Sequence, residues 1–113
     1  MKRIFFSLAL LLAVTTLIAQ TNMTAREAAV KIADRILAST TYEFKNTKTG
    51  ETYKSVKKLP LDMDVKVACK YNNWHYTNGV TNMALMELGD KLADKKYEKY
   101  VLKNMNFVFN EGN

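Results

Sequence analysis

At Trp74-His75-Tyr76-Thr77-Asn78-Gly79 the chain changes character. A long polar, lysine-rich stretch precedes it, and an apolar, helix-patterned series begins at Val80. This boundary constrains the fold most, because it fixes where the helical period takes over. Three ring side chains in a row directly before a helix suggest a wall of aromatic surface at the mouth of a helical scaffold. Such a wall suits ligand binding, since rings offer wide contact area at little entropic cost. The competing reading makes Trp74 and Tyr76 core anchors of the helix entry, and composition alone favours that one.

Three helices are expected. Thr24-Ala25-Arg26-Glu27 has the capping-box form and marks a helix from about Ala25 to Ala38, with Ala25, Ala28, Ala29, Ile32, Ile36 and Leu37 recurring at helical spacing. A second helix runs from about Asn78 to Leu92. Val80, Met83, Ala84 and Leu88 form its stripe, and Leu85, Met86 and Leu92 widen it, so it expects neighbours on more than one side. Asp94 caps a third, which carries Tyr97, Tyr100, Val101, Met105 and Val108 inward, with Phe107 and Phe109 adding exposed apolar area if this helix stands alone. The last two pair as an antiparallel hairpin turning near Ala93.

Between Thr41 and Lys70 the helical period disappears. Tyr42-Glu43-Phe44 and Thr52-Tyr53-Lys54 flank Asn46-Thr47-Lys48-Thr49-Gly50, which reads as a turn between two short extended pieces. Leu61, Met63, Val65 and Val67 alternate with polar residues as a strand would, while Pro60 would equally open a helix. The segment reads as loop with local structure.

Composition narrows the class. Met1-Lys2-Arg3 and the apolar run Ile4 to Ile18 read as a signal peptide spanning residues 1–19, too short to cross a bilayer comfortably. Export to the periplasm or the extracellular space follows. Removing that segment lowers the net charge from +6 to +4, leaving 15 basic side chains against 11 acidic. Lys45, Lys48, Lys54, Lys57, Lys58, Lys66 and Lys70 face only Glu51, Asp62 and Asp64, so the excess lies in the irregular stretch. Two uses stay open for it, a solvated loop or attraction of an acidic polysaccharide. Nucleic acid suits an exported chain without arginine clusters poorly. Cys69 is the only cysteine and His75 the only histidine, which excludes an internal disulfide and the usual metal constellations.

Some apolar surface is left over. About 94 residues remain after export, and their three helices carry more apolar area than they can cover for each other, as in arrays where further hairpins complete the core. Residues 20–113 therefore read as the N-terminal part of a larger domain.

One run carries a resemblance. Trp74-His75-Tyr76, then Gly79-Val80 and a helix, then Gly89-Asp90-Lys91-Leu92-Ala93-Asp94-Lys95-Lys96-Tyr97-Glu98-Lys99-Tyr100, is similar to the opening of the unsaturated glucuronyl and rhamnogalacturonyl hydrolases, glycoside hydrolase families 88 and 105. The resemblance implies an all-α fold, the first helices of an (α/α)6 toroid, here with an irregular lysine-rich insert between Lys45 and Lys70. It implies cleavage of an unsaturated uronic acid from the non-reducing end of oligosaccharides left by polysaccharide lyases, without metal or organic cofactor. The family's tyrosine that lines the sugar pocket matches Tyr76, and its supporting tryptophan matches Trp74. Its catalytic aspartates fall in later segments, so Asp62, Asp64, Asp90 and Asp94 receive no catalytic role and His75 matches a variable position. A small secreted helical module that grips acidic carbohydrate or a protein partner without chemistry is the alternative.

Overall fold

The computed structural model describes residues 23–112. The expected export signal, 1–19, lies outside the described residues. The chain divides after Ile32 into two units. Of the first, the opening of helix α1 (Ala25–Ser39) is described. Its capping box closes in both directions: Thr24 N–H donates to Glu27 Oε2 (2.9 Å) and Glu27 N–H to Thr24 Oγ1 (3.1 Å).

The second unit holds the rest of α1, a sheet and a helical hairpin. Strands β1 (Phe44–Asn46), β2 (Thr52–Tyr53) and β3 (Val65–Val67) form an antiparallel sheet in the order β2-β1-β3. This corrects the all-α expectation and, with it, the description of Lys45 to Lys70 as an irregular insert. The strands fall at the two extended pieces and within the alternation that ends at Val67, and their register is definite. Phe44 stands opposite Tyr53 and Val67, and Lys45 opposite Thr52 and Lys66. Phe44 and Asn46 are buried while Lys45 points outward. The turn forms where expected: Asn46 Oδ1 accepts from Lys48 N–H (2.9 Å) and Thr49 N–H (3.1 Å), and Gly50 supplies the left-handed φ of 78° that closes it.

Helix α2 (Tyr76–Leu92) and helix α3 (Lys95–Asn106) are joined through Ala93, in left-handed conformation at φ 53°, and Asp94, which caps α3 by accepting from Lys96 N–H. A π-helical turn (Phe107–Glu111) follows. The core joins Ala33, Leu85, Tyr97, Tyr100 and Val101, with Ile36, Leu37, Leu88 and Leu92 partly buried around them. In α1 the buried phase is therefore Ala33, Ile36 and Leu37, one position on from Ile32. In α3, Asn104 and Phe107 take the inward places expected of Met105 and Val108. The helix does not stand alone, and Phe107 is buried on the sheet, stacked on Phe44 at 4.6 Å and edge-on to Tyr42 at 5.6 Å.

Polar groups tie α1 to α3. Buried Tyr97 donates its hydroxyl to Asp34 Oδ1 (2.8 Å), which Lys96 Nζ also meets at 2.9 Å. Thr40 Oγ1 donates to Ile36 O and lies 2.8 Å from the Tyr100 hydroxyl. The Lys96 and Tyr97 hydrogen bonds hold the Asp34 carboxyl below its usual range, so its share of stability is lost as pH falls below about 3.8. Burial, with Tyr100 and Cys69 nearby, pushes the Tyr42 hydroxyl up to about 12. The neutral form is the one the fold favours, so stability is full below the ordinary tyrosine value of 10.0 and drains away as pH rises through about 12. The melting temperature should accordingly fall between those pH values, and Tyr42→Phe, which keeps the ring against Phe107, should shrink that fall. An unchanged pH profile in Tyr42→Phe would contradict this assignment.

Candidate functional site

Asparagine 78 sets the entry of α2. Its Nδ2 donates to Lys70 O (2.8 Å) and Asn73 O (3.2 Å), which folds the chain before the helix back onto its first turn. His75 is the N-cap, its Nδ1 accepting from Thr77 N–H at 3.4 Å and lying 2.9 Å from Thr77 Oγ1. With His75 and Asn78 spoken for, the flanking rings are left outside. Trp74 is 74 % exposed and Tyr76 83 % exposed. Neither is a core anchor, which decides the local question in favour of a surface wall.

The helix behind them explains the wall's continuation. The residues α2 buries are Asn78, Asn82, Leu85 and Gly89, so its apolar stripe of Val80 and Met83 faces outward. Leu102 and Met105 on α3, and Phe109 on the π-helical turn that follows it, are also exposed. Between the two stripes runs an open groove of about 610 Å³, lined at one end by Trp74, His75 and Tyr76 and along its length by Met83, Met105 and Phe109. Trp74 meets Phe109 edge-on at 5.3 Å. The size suits a ligand of one or two rings.

Asparagines 72, 82 and 104 also line this groove. Asn104 Nδ2 donates to Asn82 Oδ1 (3.1 Å) across the two helices, and Asn72 Nδ2 to Thr41 O (2.7 Å). The Oδ1 atoms of Asn72 and Asn104 are buried without a protein partner. Hydropathy gives such residues no weight. Asn78, Asn82, Leu85 and Gly89 share one helix face, but hydropathy sets the phase of α2 on Val80 and Met83, so no sequence pattern singles them out.

No Asp, Glu, Lys or Arg lines the groove. Its described walls supply apolar faces and amide groups, which orient and stack a ring, together with the His75 imidazole and the Tyr76 hydroxyl. Asp62, Asp64, Asp90 and Asp94 all lie away from the lining, and Asp94 serves as a helix cap. Among the described residues no three of His, Cys, Asp and Glu are placed to hold a metal ion, and no helix is long and apolar enough to cross a membrane.

Two substitutions separate wall from scaffold. Trp74→Ala should cost about 1 kcal/mol or less of stability, since mainly the edge contact with Phe109 is lost. Asn78→Ala should cost about 1–3 kcal/mol by leaving the Lys70 and Asn73 carbonyls without their donor. Urea unfolding measures both; a loss of about 3 kcal/mol or more in Trp74→Ala, as for a buried aromatic, would return that residue to the core. Set against family models, curated proteins and solved structures, the chain matches none.

Proposed function

We propose that this chain is the N-terminal part of an exported glycoside hydrolase acting on unsaturated uronic acid residues at the non-reducing end of lyase-generated oligosaccharides. Trp74 and Tyr76 form part of its substrate-binding wall. The observation that carries the reading is the outward stance of these two rings on the groove between α2 and α3. The resemblance of Trp74 to Tyr100 to the unsaturated glucuronyl and rhamnogalacturonyl hydrolases supplies the reaction class. Exposed Val80, Met83, Leu102 and Met105 support it from another side, as apolar surface that further chain of the same protein would cover.

In the reaction the resemblance implies, water adds across the carbon-carbon double bond of the uronyl ring. The hydrated sugar then rearranges and the glycosidic bond breaks. An aspartate outside the present groove lining gives and takes the proton, and a pocket of low polarity keeps its carboxyl protonated near neutral pH. Here the chain's own part is to stack and orient the sugar ring. Taken alone, the 113 residues would be inactive.

A groove built wholly from residues 72 to 109 favours one second reading, a secreted module that binds acidic carbohydrate without chemistry. Saturable binding of uronate oligomers by the isolated chain, with no turnover by the whole protein, would select it.

Tyr76→Phe tests the role of the wall. In the whole protein its kcat/KM toward an unsaturated uronyl disaccharide should fall about 10- to 100-fold through loss of a ligand hydrogen bond, with the melting temperature unchanged. Tyr76→Ala should melt like the parent, because the ring is exposed. A silent Tyr76→Phe together with an unstable Tyr76→Ala would make Tyr76 a packing residue and sink the proposal.

A further inference from the structure

The sheet gathers lysines that the sequence keeps apart. Lys66 on β3 stands directly opposite Lys45 on β1, and Thr52 on β2 stands opposite Lys45 from the other side. All of them are exposed, so one row across the outward face runs hydroxyl, ammonium, ammonium. The row is backed by Phe44, buried and stacked on Phe107. Like charges directly opposite one another weaken a sheet. Neither lysine forms an ion pair with a carboxylate of the described residues. Two nearby carboxylates are committed elsewhere: Glu43 pairs with Lys54 at 2.7 Å, and Glu51 accepts the Tyr53 hydroxyl at 2.7 Å. That leaves exposed Asp64, two places before Lys66, against Lys45, Lys66 and the turn lysine Lys48.

We propose that this sheet face holds an acidic polysaccharide, with Lys45 and Lys66 taking carboxylates of the polymer and the Thr52 hydroxyl beside them meeting a sugar hydroxyl. None of these residues lines the groove, so this is a second surface, and the proposal stands apart from the hydrolase reading. An anion placed between the two lysines relieves their repulsion as well as drawing on their attraction. That distinguishes the facing pair from a lone surface lysine. The chemistry of the cations then chooses among polyanions. Phosphate is gripped best by the forked guanidinium of arginine, and no arginine follows Arg35 in the sequence. Lysine offers a compact point charge, which suits single carboxylates carried one to a ring.

The test is titration calorimetry of the whole protein with polygalacturonate whose ends carry no unsaturated residue, so that the substrate proposed for the groove is absent. Binding should weaken as salt is raised and should be absent with neutral dextran. Lys45→Gln with Lys66→Gln should raise Kd at least about tenfold and melt no lower than the parent, since a like-charge pair is removed. Lys57→Gln with Lys58→Gln takes the same charge from outside the strands and should change Kd by less than about threefold. Equal losses in the two double variants would reduce the effect to net charge and overturn the proposal, as would an unchanged Kd in the first. DNA or anionic lipid vesicles bound as tightly as the polymer would overturn the choice of an acidic sugar.

Discussion

Gly89 lies so close to α3 that a Cβ there would stand 3.1 Å from Asp94 O and 3.3 Å from Tyr97 Cβ. That approach sets the seam between the two helices. On it α2 presents Asn78, Asn82, Leu85 and Gly89, and α3 presents Tyr97, Tyr100, Val101 and Asn104. Apart from Leu85 the buried face of α2 is small or polar, whereas that of α3 carries two large rings, and Gly89 leaves the room that Tyr97 fills. Asn82 and Asn104 meet within the seam and fix its register, because sliding either helix by a turn would bury both amides unpaired. Helix α1 then docks through Ala33 and through Asp34, whose carboxylate takes the Tyr97 hydroxyl.

The outer surface follows from the seam. Because α2 buries asparagine and glycine, its methionines and valine have nowhere to go but outward, and α3 with its π-helical turn leaves Leu102, Met105 and Phe109 outward as well. Apolar side chains at helical spacing on two adjacent helices make a groove rather than scattered exposure. The wall of Trp74 and Tyr76 closes one end of it, positioned by Asn78 and the His75 cap rather than by burial of the rings themselves. Rigid scaffold with exposed rings is the arrangement expected of a binding surface, in which contact area is held ready at little ordering cost.

Periodic elements were legible in the sequence. The capping box at Thr24 and the apolar recurrences located all three helices and the hairpin turn at Ala93, and Trp74 and Tyr76 stood out by type and position. Helix phase was not legible. Hydropathy assigns Val80 and Met83 to the core and Asn82 and Asn104 to solvent, whereas close packing at Gly89 and the amide pair reverse both. The extended pieces around Asn46 to Gly50 and the alternation ending at Val67 were visible, but their pairing into one sheet was not. Its stability comes from Phe44 stacked on Phe107, a contact across more than sixty residues that no local pattern reports. The asparagine-lined floor of the groove was missed for the same reason as the phase.

We propose that the groove serves a hydrolase of unsaturated uronyl sugars, and the ultraviolet absorbance of lyase-treated pectin incubated with the whole protein that carries this chain tests it. Hydration removes the conjugated double bond, so a steady loss of absorbance is expected that the 113-residue chain alone does not produce. Absorbance that holds constant with every lyase product tried would contradict it.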